Sequence, residues 1–423
     1  MPPPPSVNVI EEARVAVPAT APLPPEPLRL SALDAQWVTL PLIQRQLIFV
    51  DGAGSIPPFE SAVAALRASL AETVARSPPL AARIVHQPAT GDAAIDCTAA
   101  GVAAAGGVRF LVAEMGADAA RLAGEEEHDA AAFGRLVPVL DAGQLPAETM
   151  AAQVTRLRGG LALGVAVHHA VADGRSVWMF LEAWAAACRG DVDAAVAAPP
   201  AFDRAAVRLP GGEELARTVL RKYAPNLPLA AVAGHLIRPN LSRRTFVAVA
   251  ALSWVSFVHA KHPAGNVSAD DEVYLFFFAD CRTRLDPPPG DNYFGTCISG
   301  CLARAAARDL LAENGLSVAA AAVAAEIRRA AVDPLAGWDW MSTVEGVDLD
   351  RLVNLAGSTR FPAYEATDFG WGPPGRTELV TMNHDGQVVV VAGKKGAGGV
   401  QASVSLHPAH MDAYKSHFLS YFG

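Results

Sequence analysis

Two adjacent histidines followed by an aspartate, His168-His169-Ala170-Val171-Ala172-Asp173-Gly174, are the residues of this chain best suited to moving a proton. An imidazole titrates near neutrality and is the side chain most often used as a general base. Before them, Leu161, Leu163, Val165 and Val167 alternate with small residues, the period of a buried strand. After them, Val177, Phe180, Leu181, Trp184 and Cys188 recur at spacings of three and four, the stripe of an amphipathic helix. The histidines therefore stand where a strand hands over to a helix, a place where functional side chains collect on a rigid scaffold. Strand parity turns His168 and His169 to opposite faces, so that one can look into a cavity while the other is packed. His169 is the better base, because Asp173 lies four residues on and a tight turn would let its carboxylate hold the backbone or an arginine. The competing readings are two satisfied core histidines, or a metal site. Adjacent strand residues diverge, so one ion cannot easily take both rings. A Ser-His-Asp triad lacks its G-x-S-x-G elbow, and H-E-x-x-H, Walker A and G-x-G-x-x-G are absent too.

The chain has 423 residues, of which 51% are hydrophobic and 18% charged, with a net charge of -9. That length supports two domains with substantial cores. The acidic balance argues against nucleic acid and against an anionic membrane surface. Cys97, Cys188, Cys281, Cys297 and Cys301 are scattered in apolar segments with no C-x-x-C, which predicts reduced thiols in a cytoplasmic protein. Cys297 and Cys301 are too few for a metal site, and no metal is expected. The N-terminus lacks a signal peptide pattern, and no apolar run is long enough to span a membrane.

In chain order, residues 1–28 read as proline-rich and extended. Gln46–Val50 reads as a strand, followed by a helix with Val63, Leu66, Leu70 and Val74 on one face that stops at Ser77-Pro78-Pro79. Ala81–His86, Ala93–Thr98 and Val108–Val112 read as strands, and Gly116–Glu127 as an acidic helix or loop. Met150–Leu157 and Gly160–His168 read as paired strands around an Arg158-Gly159 turn. Residues 191–213 read as a crossover between two halves, 1–190 and 214–423. Beyond it come a helix over 245–260, a strand Val273–Ala279, helices near 302–313 and 316–331, and a hairpin of Glu378–Met382 with Gln387–Ala392 around Asn383-His384-Asp385-Gly386. A strand Gln401–Leu406 and a helix Pro408–Phe422 close the chain. Interleaved strands and helices predict an α/β class with mixed sheets.

His169-Ala170-Val171-Ala172-Asp173-Gly174 matches the HxxxDG motif of the plant BAHD acyltransferases, and Asp368-Phe369-Gly370-Trp371-Gly372 matches their second signature, DFGWG. HxxxD alone also occurs in chloramphenicol acetyltransferase and in peptide-synthetase condensation domains. Both motifs in this order are far more specific, and Asp280-Cys281-Arg282-Thr283-Arg284-Leu285 and Tyr293-Phe294-Gly295-Thr296-Cys297 extend the likeness. The chain thus resembles that family over nearly its whole length, and within it the branch that malonylates flavonoids, anthocyanins and phenolic glucosides.

The resemblance implies a two-domain chloramphenicol-acetyltransferase-like fold with a channel between the domains. It implies no permanently bound cofactor, acyl-CoA as co-substrate with malonyl-CoA favoured, a small-molecule acceptor, and a monomer. His169 would be the general base for direct transfer through a tetrahedral intermediate. Asp173 would be structural, in an ion pair with Arg282. Asp368, Gly370 and Gly372 would form a tight structural turn. Trp371 would be either packed in that turn or an indole donor to the oxyanion. A malonyl carboxylate calls for a cation, and Arg175 is the one nearest in sequence.

Two departures stand out. Thr296 replaces the asparagine of YFGNC, so an amide's paired hydrogen bonds are lost. Residues 233–249 also look compressed, as though a strand and a helix were missing, and Ser242, Arg243 and Arg244 are left to meet the CoA phosphates. The alternatives are a hydroxycinnamoyl- or benzoyl-CoA transferase to an amine or alcohol with an aromatic acyl pocket, and a relative impaired in CoA binding that does no catalysis.

Overall fold

The computed structural model describes residues 6–40, 42–52, 54–124, 128–191, 199–223, 235–237, 240–242, 246–381, 384–394 and 399–422. The strands used below are β1 (Val7–Val15), β2 (Ile43–Val50), β3 (Val108–Asp118), β4 (Met150–Arg158), β5 (Gly160–Val167), β6 (Glu272–Asp280), β7 (Ile298–Ala306), β8 (Leu352–Gly357), β9 (Arg376–Leu379), β10 (Gln387–Ala392) and β11 (Gly399–Leu406). The helices are α1 (Ala32–Ala35), α2 (Phe59–Arg76), α3 (Gly174–Arg189), α4 (Phe246–Lys261), α5 (Gly315–Val332), α6 (Trp340–Val344) and α7 (Pro408–Leu419).

One mixed sheet runs β1-β3-β4-β5-β2-β9, antiparallel except for the parallel pair β3 and β4. A second runs β7-β6-β8-β10-β11, with β8 parallel to both β6 and β10. The short strands His235–Ile237 and Asn240–Ser242 both pair with β11. Because β5 is central in the first sheet, it is buried on both faces. Leu161, Leu163, Val165 and Val167 join the core under α2 and α3. On the opposite face, a Cβ at Gly164 would lie 2.0 Å from the carbonyl of Leu136, so only glycine fits that approach. The second sheet packs on α4, α5 and α7, with Trp254 fully buried in that core. The class is α/β with mixed sheets, as the alternation of elements predicts.

Two expectations need correction. The helix near 302–313 is instead β7 followed by a short helix at Ala307–Leu311. Its alanines favour helix locally, but all nine residues of β7 pair with β6, and that tertiary pairing overrides propensity. The hairpin of 378–382 with 387–392 does not form. β9 instead joins the first sheet beside β2, while β10 lies between β8 and β11 of the second. The chain passes between sheets at this point, and Asp385 is held by Lys261 at 2.7 Å and by the backbone N–H of His407. The N-terminal segment, read as extended, includes β1, a full edge strand whose Glu11, Glu12 and Arg14 suit a solvent-facing edge. No helix among the described residues is long and apolar enough to cross a membrane.

Candidate active site

The loop 168–173 is built by its own first residue. β5 ends at Val167, and His168 donates its backbone N–H to the carbonyl of Thr149 (2.8 Å). The His168 carbonyl accepts from Val171 (2.9 Å), and His168 Nδ1 accepts from the N–H of Ala170 (3.2 Å). Burial, with His169 beside it, pushes the His168 imidazole down to about 3. It is therefore neutral at ordinary pH, the form that leaves Nδ1 free to accept the turn N–H.

His169 takes the opposite orientation and is partly exposed. Its ring lies on the indole of Trp37, with centroids 3.6 Å apart and planes 10° from parallel. Trp37 in turn meets Phe278 (5.1 Å) and Trp340 (4.9 Å). Nδ1 is enclosed, with no hydrogen-bond partner among the described residues, and the His169 carbonyl accepts from the hydroxyl of Thr296 (3.5 Å). Burial pushes this imidazole down to about 4, against the opposing pull of Asp173. A neutral, pinned imidazole at a loop apex is a base ready to accept a proton.

Asp173 caps α3. Its Oδ1 accepts from the N–H of Ser176 (3.0 Å), and its Oδ2 accepts from the N–H of Cys297 (3.1 Å) and pairs with Arg282 (2.8 Å). No oxygen is spent on the imidazole. Arg282 also donates to the carbonyls of Tyr293 (3.2 Å) and Gly295 (2.9 Å) and to Asp280 (3.2 Å). Burial lowers its pKa, but Asp173 and Asp280 more than offset this and hold it above the ordinary arginine value. The DCR and YFGTC segments are thereby locked onto the histidine loop, and Asp173 and Arg282 meet as the pattern predicts.

A second clamp was not foreseen. Arg204, inside the expected crossover, pairs with Asp34 (3.1 Å) and donates to the carbonyls of Val171 (3.0 Å) and Phe294. Asp34 closes a capping box with Ser31 at the start of α1 and accepts from the N–H of Thr296 (3.1 Å). The Ser-x-x-Asp pattern signals that box. Nothing in the local sequence marks Arg204 or Trp37.

Of the two readings open for Trp371 the packed one holds, and the expectation for Arg175 is corrected. In the DFGWG turn, Asp368 Oδ1 accepts from the N–H groups of Gly370 (2.8 Å) and Gly372 (2.9 Å), whose φ values of +106° and +94° favour glycine. Its Phe369 and Trp371 rings pack on Phe49 at 6.0 and 5.9 Å. Phe49 pairs with Leu161, at the opposite end of β5 from His168. At ~3.3 Å per residue that is roughly 23 Å away, so Trp371 cannot donate to an oxyanion at His169. Its indole N–H is buried inside the core without a partner among the described residues. Trp371→Phe is expected to leave kcat within about twofold, whereas removing an oxyanion donor costs about 10²–10³; steady-state turnover decides between them. Arg175 is also engaged, by Asp280 (3.1 Å) and Asp291 (3.0 Å), so it is not a free cation for an acyl carboxylate. Ser242 closes its short strand, while Arg243 and Arg244 lie outside the described residues.

All five cysteines are free. Burial pushes the Cys97 and Cys281 thiols up to about 12 and Cys301 to about 11, and it raises Cys297 and Cys188 as well. None is poised as a thiolate nucleophile.

The Transferase family matches residues 6–228 and 238–420, nearly the whole chain. This protein belongs to that family, the BAHD acyltransferases. It is an acyl-CoA-dependent acyltransferase. The chain is similar to malonyl-CoA:anthocyanidin 5-O-glucoside-6''-O-malonyltransferase of Arabidopsis thaliana, at 28% identity with 98% of each chain covered. It is similar at 27% identity to phenolic glucoside malonyltransferase 2 of the same plant, again with 98% of each covered. Among solved structures, vinorine synthase superposes with a TM-score of 0.74 over 98% of each chain at 18% identity, a likeness of fold.

Proposed function

We propose that this BAHD acyltransferase moves a malonyl group from CoA to a hydroxyl of a flavonoid, anthocyanin or other phenolic glucoside, with His169 as general base. The observation that carries the mechanism is the neutral His169 imidazole, stacked on Trp37 at the loop apex with Nδ1 enclosed. Nε2 takes the proton from the acceptor hydroxyl as its oxygen attacks the thioester carbonyl. The tetrahedral oxyanion collapses, the C–S bond breaks, and the imidazolium returns its proton to the departing CoA thiolate. No covalent acyl-enzyme forms, consistent with cysteines that are all protonated and buried or half-buried. In this reading the two halves, 1–190 and 214–423, bound a channel that brings acyl-CoA and acceptor to His169 from opposite sides. Asp173 and Arg282 act as architecture, and the protein works as a monomer in the cytoplasm.

The malonyl choice is supported by the names of the similar proteins. A second reading, transfer of a hydroxycinnamoyl or benzoyl group to an amine or alcohol, is favoured by the Trp37 ring stacked on the base, with Phe278 and Trp340 packed against that indole. A matrix of malonyl-, acetyl-, coumaroyl- and benzoyl-CoA against phenolic glucosides and amines, scored by CoA release, separates the two. Highest turnover with malonyl-CoA and a glucoside supports the first; an aromatic donor with an amine as the best pair overturns it.

A further inference from the structure

Four arginines are buried among the described residues: Arg45, Arg204, Arg282 and Arg376. Three hold a buried carboxylate, Arg204 with Asp34 at 3.1 Å, Arg282 with Asp173 at 2.8 Å and Arg376 with Glu378 at 2.8 Å. Arg45, 5% exposed, has no carboxylate within ion-pair distance among the described residues. Its contacts are the Thr377 hydroxyl at 3.5 Å and the face of Trp178, with the guanidinium carbon 4.7 Å from the ring centroid. The charge of Glu378 reaches it, but that carboxylate already serves Arg376 and Ser403. Burial pushes the Arg45 guanidinium down to about 10, which still leaves it cationic at neutral pH. A desolvated cation without a counter-ion is costly to a fold. It is tolerated more readily where a ligand supplies the missing charge.

The position of Arg45 names that ligand. Arg45 stands opposite Val165 in the β2–β5 pairing, two pairs before the Ile43–Val167 pair that ends β5. It is roughly 7 Å along the strand from the start of the catalytic loop. It shares a strand face with Ile43, Leu47 and Phe49, the face packed under α3, and Trp178 lies about one turn into that helix. The histidine loop bridges β5 to α3 at the end of this same layer. The other cations near the loop are committed: Arg175 to Asp280 and Asp291, Arg282 to Asp173, Arg204 to Asp34. We propose that Arg45 receives the free carboxylate of a short dicarboxylic acyl group whose thioester carbonyl sits at His169. A fork of N–H donors backed by an aromatic face suits a planar carboxylate. The assignment rests on the reading of His169 as the base of acyl transfer from CoA.

The test uses the full chain, CoA release with a phenolic glucoside, and malonyl-CoA against acetyl-CoA. In Arg45→Gln the ratio of kcat/KM for malonyl over acetyl should fall by about 30-fold or more, with Arg45→Lys intermediate. A ratio unchanged in Arg45→Gln overturns the proposal, since a merely structural role would depress both donors together. Calorimetric titration of the unmutated protein gives a check independent of variant folding: malonyl-CoA should bind more tightly than acetyl-CoA, and equal affinity overturns the proposal. Turnover of acetyl-CoA with no malonyl preference would remove the Arg45 assignment alone. No CoA release from any donor would remove the transferase mechanism with it.

Discussion

Asp173→Ala is expected to lose about 3–5 kcal/mol of stability, because the fully buried Arg282 guanidinium loses its buried carboxylate partner and keeps only the more exposed Asp280. The same change uncaps α3, frees the N–H groups of Ser176 and Cys297, and unties the YFGTC segment from the histidine loop. Urea denaturation gives the number directly. Removing the charge on both sides, Asp173→Ala with Arg282→Met, should recover part of the loss, since an apolar replacement leaves no orphaned cation. A single variant within about 1 kcal/mol of the parent would mean that the pair behaves like a surface salt bridge. Activity lost in Asp173→Ala would follow from misplacement of His169, because the hydrogen bonds of Asp173 go to Ser176, Cys297 and Arg282 and not to the imidazole.

His169→Ala is expected to reduce kcat by about 10²–10⁴-fold, the range for removing a positioned general base. Stability should change far less, because the ring is partly exposed and its one aromatic contact among the described residues is Trp37. The affinity for acyl-CoA should persist, since proton transfer occurs in the chemical step and not in binding. A loss of affinity as large as the loss of kcat would make His169 a binding residue.

Much of this was readable in advance wherever one element sets its own burial. β5 is central and apolar, and α3 carries a stripe, so the strand–loop–helix unit followed from periodicity alone. The Asp173–Arg282 pair and the glycine turn after Asp368 were implied by the resemblance to the BAHD motifs and not by periodicity or spacing. Elsewhere, the deciding force lay outside the segment. Ile298–Ala306 is alanine-rich and helix-prone, yet it is a strand because β6 supplies nine partners. Glu378–Met382 and Gln387–Ala392 look like a hairpin, yet Arg376–Leu379 pairs in the first sheet and Gln387–Ala392 between two strands of the second.

The site divides in the same way. Trp37 on the face of His169 and Arg204 on the loop carbonyls come from distant segments with no local signature. Trp371 reads from sequence as either a packed ring or an indole donor. Its actual place depends on which end of β5 the turn packs against. Arg45 sits within an ordinary strand sequence, and its lack of a carboxylate shows only once neighbouring arginines have taken theirs.

The central claim is that neutral His169 takes the acceptor's proton, and the pH dependence of CoA release, compared between the parent and His169→Ala, tests it most directly. Burial lowers the His169 pKa to about 4, so the base form predominates above that value and is lost as pH falls through it. The parent kcat/KM should therefore be flat across neutral and mildly acidic pH and fall with a midpoint near 4. His169→Ala should be slow and gain rate with hydroxide concentration, as solvent base replaces the missing imidazole. A variant that keeps the parent's rate and acid limb would contradict the account.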